Sequence, residues 1–135
     1  MENQKELLAE IIRQQKKNYI RLVEIERLTK ELGDALSRGD NEAAQLLLGM
    51  RKDEMDKADE GKRGMYAILD SLNPGDREQV RALLGGRSIN AQKDEETEQV
   101  IQLSVQMKRI LERTVEIDKV ISRKLAGEDS YYRSK

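Results

Sequence analysis

The chain has 135 residues, 38% charged and 37% hydrophobic, with 25 basic residues against 26 acidic and a net charge of −1. Interspersed charges of both signs exclude the basic stripe of a nucleic-acid binder. The absence of cysteine excludes a disulfide framework and a thiolate nucleophile, and the absence of histidine excludes zinc helices, Glu-x-x-His di-iron bundles and His-based acid–base catalysis. What remains is rich in Glu, Lys, Arg, Leu, Gln and Ala and lacks Phe and Trp. Such a chain suits long, narrow helices with aliphatic seams.

The first helix is expected over about 3–37. Steps of three and four from Leu8 reach Ile11, Gln15, Asn18, Leu22, Ile25, Thr29, Leu32 and Leu36, a coiled-coil-like seam widened by Ile12, Tyr19 and Val23. A helix this long spans about 50 Å and is unstable alone, so partners must pack along it. Gly39 then fits a left-handed C-terminal cap and Asp40 an N-cap for the next helix, which makes a hairpin corner.

The second helix is expected over about 41–72. Its seam reads Ala44, Leu48, Arg51, Met55, Ala58, Lys62, Met65, Leu69 and Leu72. Arg51 and Lys62 interrupt it, and Gly61 and Gly64 each cost about 1 kcal/mol against alanine, so its centre should be thin. Asn73 can cap a short helix with Pro74 at its first position, Val80, Leu83 and Leu84 on its apolar side, and Gly85-Gly86 as its stop. A polar loop over about 87–90 leads to the last helix, expected over 91–126 and capped by Gly127. Its seam is Val100, Leu103, Met107, Ile110, Thr114, Ile117 and Ile121. Residues 1–127 thus form one all-α domain, an elongated antiparallel three-helix bundle with a short helical connector between the second and third long helices. Residues 128–135 are expected to be a disordered tail.

No catalytic constellation emerges. The carboxylates of 53–60 are spaced as a solvated helix face, those of 93–98 suit a helix start, and "LLGGRSIN" lacks the ending of a phosphate loop. No enzyme activity, metal or cofactor is expected. No apolar run reaches the roughly 18 residues of a membrane span, and "MENQKELLAE" lacks the order of a signal peptide. Two features stand apart. Ile101, Leu111, Val115 and Leu125 lie about 100° round the last helix from its main seam, either as wide core packing or as a strip for another helix. Tyr131 and Tyr132 sit in a polar tail, either incidentally or as anchors that a partner buries.

Residues 26–60, "ERLTKELGDALSRGDNEAAQLLLGMRKDEMDKADE", resemble the FlgN-type flagellar export chaperones. Ala35, Leu36, Gly39, Asp40, Leu46 and Leu47 match that family's "AL-x-x-GD" corner and leucine-rich second helix. A short connector and a long last helix follow, so the resemblance covers roughly residues 5–126. It implies a cytoplasmic, ATP-independent chaperone. Such a protein binds the helical termini of hook-associated proteins, prevents their premature assembly and aids delivery to the export apparatus, with contact to the export gate left open. By that resemblance the partner-binding residues are Leu111, Val115, Ile121, Leu125 and the tail tyrosines Tyr131 and Tyr132, with Ile101 on the same strip. The alternatives are a self-associating structural coiled coil, hence a homo-oligomer, and a chaperone of the filament cap protein.

Overall fold

The computed structural model describes the backbone of residues 2–87 and 94–133 and the side chains of 4–87 and 94–123. Four helices follow one another: α1 (Glu2–Ser37), α2 (Asn41–Asp70), α3 (Pro74–Leu84) and α4 (Glu95–Arg133). Among the described residues there is no strand, and no helix is long and apolar enough to cross a membrane.

The corners form as local chemistry dictates. Gly39 takes φ 72°, a backbone state open to glycine because it has no Cβ. The amide N–H of Asp40 then donates to the Ala35 carbonyl at 2.9 Å, and the Asp40 carboxylate accepts from the Ala43 N–H at 3.1 Å. One residue thus closes α1 and opens α2. Asn73 accepts from the Asp76 N–H at 2.8 Å, with Pro74 at the first position of α3. Arg77 reaches back to donate to the carbonyls of Leu69, in the last turn of α2, and of Leu72, just beyond it, at 3.0 and 2.9 Å. Gly86, at φ 79°, ends α3.

The start of α4 carries a cap that the sequence reading missed: Asp94 accepts from the Thr97 N–H at 2.8 Å. The loop expected over 87–90 and the helix start at Ala91 lie largely outside the described residues. Gly127 does not stop α4, which continues to Arg133. A glycine within a helix costs only about 1 kcal/mol, and no proline follows to block propagation.

Helix α1 packs against both α2 and α4. Along α1, Gln15 meets Ser104, Glu26 meets Arg113 and Gly33 lies beside Ile121, so α4 runs parallel to it. Gln14 meets Gly61, Arg21 meets Glu54 and Thr29 meets Arg51, so α2 runs antiparallel. Among the described residues, no Cα of α2 lies within 8 Å of one in α4. The two helices therefore flank α1 with an open furrow between them.

Two apolar clusters hold this array. The lower one joins Leu8, Ile11 and Ile12 of α1, Met65 and Leu69 of α2, Val80 of α3 and Val100 of α4. The upper one, at the corner, joins Leu32, Ala35, Ala44 and Ile121. Between Ala44 and Met65 no residue of α2 is fully buried, which matches the thin centre expected from its interrupted seam. Polar contacts link the helices there instead. The buried seam threonines are satisfied locally: the Thr29 and Thr114 hydroxyls donate to the carbonyls of Ile25 and Ile110, at 2.7 and 2.8 Å. Buried Gln15 donates to the Ser104 hydroxyl at 2.6 Å, while its Oε1 is buried without a partner among the described residues. Val23, expected beside the α1 seam, is exposed, whereas Leu28 is buried on the side facing α2.

Across the α1–α4 junction the Arg113 guanidinium donates to the Glu26 carboxylate at 2.9 Å. This hydrogen bond, opposed by partial burial and aided by the charges of Arg113 and Lys30, holds the Glu26 carboxyl below its usual range. A depressed carboxyl stabilises the fold above the unfolded-state pKa, about 4.3 for glutamate, and that stability is lost as pH falls through the lower, folded value. Thermal midpoints of the wild type should therefore fall on acidification below about pH 4.3. The fall should be shallower in Glu26→Gln. Parallel acid limbs for the two proteins would show that the ion pair adds no linkage.

Candidate docking surface

The furrow between α2 and α4 is located by one ion pair. Arg51 donates to Asp118 at 2.6 Å, which fixes the sides of α2 and α4 that face each other. Leu111 stands seven residues before Asp118 and so shares its side of α4. Leu48 and Met55 stand three before and four after Arg51, on one side of α2. Leu69 and Ser104 continue these two columns downward, fourteen residues from Met55 and seven from Leu111 respectively, with the exposed Lys62 between Met55 and Leu69.

Burial along the columns changes with height. Leu69 and Ser104 are buried. Leu48 (46% exposed), Met55 (36%) and Leu111 (50%) are open, as is Val115 (43%) beside them. Ser104 turns its hydroxyl to Gln15 of α1, and helix α3 accounts for the burial of Leu69. Val80 belongs to the lower cluster, Leu83 and Leu84 pack against it, and the chain after α3 ends against Val105: a Cβ on Gly86 would sit 3.4 Å from its Cγ2. α3 thus fills the lower furrow as a fourth helix and stops. The open part, from Val105 to Asp118 along α4, is about 20 Å long at 1.5 Å per residue.

The expected site residues separate. Leu111 and Val115 are exposed on the furrow side of α4, and Ile101 is half-buried toward its lower end. Ile121 is only 6% exposed and packs in the upper cluster beside Gly33. It lies seven residues beyond Thr114, in the buried column, so it supports α4 and offers no surface. The side chains of Leu125, Tyr131 and Tyr132 lie outside the described residues. Leu48 and Met55 were assigned to the core seam of α2, yet they face the furrow. Helical spacing gave the right side of α2, but not that α4 stays distant there. Val120 is exposed too (49%), but nine residues from Leu111 it points the opposite way round α4.

The furrow is lined by aliphatic side chains beside the Arg51–Asp118 pair. Among the described residues no three acidic side chains converge to hold a metal ion. An open pocket on α4 is lined by Glu95, Glu98, Gln99, Gln102, Leu103 and Gln106, without a buried polar group aimed into it. Comparison of the chain with protein-family models, curated proteins and solved structures gives no match.

Proposed function

We propose that this protein is a cytoplasmic export chaperone of the FlgN type, an elongated three-helix bundle with a helical connector. In this reading it holds the helical termini of hook-associated flagellar proteins, keeps them from assembling early and passes them to the export apparatus. The observation that supports it is the pair Leu111 and Val115, exposed on a long helix that α1 braces from behind. A client helix destined for self-assembly carries an apolar face that must be hidden in transit. Each Leu or Val buried in such a contact contributes about 1.5–3 kcal/mol before the cost of ordering the partners.

The test uses purified C-terminal helical segments of hook-associated proteins, with segments of the filament cap protein alongside, titrated calorimetrically. Leu111→Asp combined with Val115→Asp should weaken capture about tenfold or more. Both residues are already half in solvent, so circular dichroism should show an intact helical fold. Undiminished capture by the double variant would remove the proposal. Capture of the cap-protein segment alone would move the reading to that client.

A further inference from the structure

We infer that the open upper furrow between α2 and α4 is a seat for one amphipathic helix of a partner protein, laid end to end with α3. This rests on the helix-binding reading above and gives it a location and a ligand pattern. The seat continues an interface already made within the molecule. In the lower furrow, α3 presents Val80, Leu83 and Leu84 to the facing columns of α2 and α4, and Leu69 and Ser104 are buried there. Above Gly86 the same columns present Leu48, Met55 and Leu111 to solvent. A helix occupying that space meets aliphatic side chains on both walls. It therefore needs the apolar spacing that α3 displays, i, i+3, i+4, sustained over about four turns to cover some 20 Å.

A second copy of this chain is a poorer occupant. Among the described residues its exposed aliphatics outside the furrow are the short pairs Ile20 with Val23 and Leu46 with Met50 and the single Val120, and neither pair is followed by further exposed large apolar residues at helical spacing. Charged neighbours also flank Ile20 and Val23, with Lys16 and Lys17 before them and Arg27 after.

The probe is a fluorescein-labelled peptide carrying residues 77–84 twice in tandem, titrated into the full-length chain by anisotropy. Saturable binding is expected, weakened about tenfold or more by Leu48→Glu and equally by Leu111→Glu. Leu46→Glu and Val120→Glu, exposed apolar positions pointing away from the furrow, should leave it within about twofold. Absence of saturable binding, or equal weakening by all four variants, would overturn the seat. So would light scattering that shows a stable dimer dissociated by Leu111→Glu, because the occupant would then be a second copy. Failure here is distinguishable from failure of the chaperone reading. Client segments that lose binding to the Leu111/Val115 double variant but bind Leu48→Glu normally leave the chaperone intact and remove only the seat.

Discussion

Gly61→Leu should destabilise the protein by about 2–3 kcal/mol, while Gly61→Ala should be close to neutral. At Gly61 the two helices lie so close that a Cβ would fall on the Asn18 side-chain amide. The Gly61 carbonyl accepts from Gln14 Nε2 at 3.2 Å and from Asn18 Nδ2 at 3.4 Å, the polar link that stands where α2 buries no apolar side chain. An alanine gains about 1 kcal/mol in helix propensity. It displaces the short Asn18 side chain, which can rotate into solvent, and forfeits two hydrogen bonds, the one Asn18 donates to the Gly61 carbonyl (3.4 Å) and the one it accepts from Gln14 (3.1 Å), each worth about 0.5 kcal/mol in this half-open setting. These terms offset. A leucine has no such escape: its branched end must fit between α1 and α2, which separates them and strains the Gln14 bond to the Gly61 carbonyl and the Arg21–Glu54 pair (3.2 Å), whose glutamate stands seven residues before Gly61. Urea denaturation of the three proteins reads the difference directly. A leucine variant as stable as the alanine variant would mean that the helices are not held close at this point.

Gly61 also marks the boundary of what the sequence discloses. Its residue type announces a weak helix, and by propensity alone it is a defect. The reason for it sits 43 residues away in Asn18, and no local pattern connects the two. Features set by adjacent residues were legible: the Gly39-Asp40 corner, the Asn73-Pro74 start and the Gly86 stop each need only a few neighbours to form. The seams of α1 and α4 were legible because burial repeats at 3.5 residues, and Ile11, Ile25, Leu32, Val100, Ile110 and Ile121 are indeed buried. A seam shows which side of a helix turns inward, but not how near the next helix comes. Leu48, Leu69 and Met55 share one column of α2, and only the reach of α3 separates the buried Leu69 from the open pair. Ile121 failed as a surface residue for the same reason in reverse, since the upper cluster closes over it at the corner where α1 and α2 meet. The end of α4 was misread at Gly127 because glycine is a signal for a cap only where tertiary structure or a following proline makes the chain leave the helix.

Asp118→Ala should cost about 1–2 kcal/mol, more than Arg51→Met, and replacing both residues by apolar ones should restore or exceed wild-type stability. The asymmetry follows from where the two charges lie. The Arg51 side chain is 15% exposed and that of Asp118 41%. Removing the carboxylate leaves a mostly buried guanidinium whose remaining side-chain partner is the Thr29 hydroxyl at 3.5 Å, whereas removing the guanidinium leaves a carboxylate that water can reach. The half-open setting keeps the penalty below the roughly 3–5 kcal/mol of a fully buried broken pair. In Arg51→Met with Asp118→Leu neither charge is stranded, and the two aliphatic side chains can meet over Thr29 where the furrow narrows. Chemical denaturation of the two single variants and the double variant closes the cycle. A double variant less stable than either single one would mean that the pair holds α2 and α4 in place by its charges. The furrow would then owe its width to that bridge, not to the packing of each helix on α1.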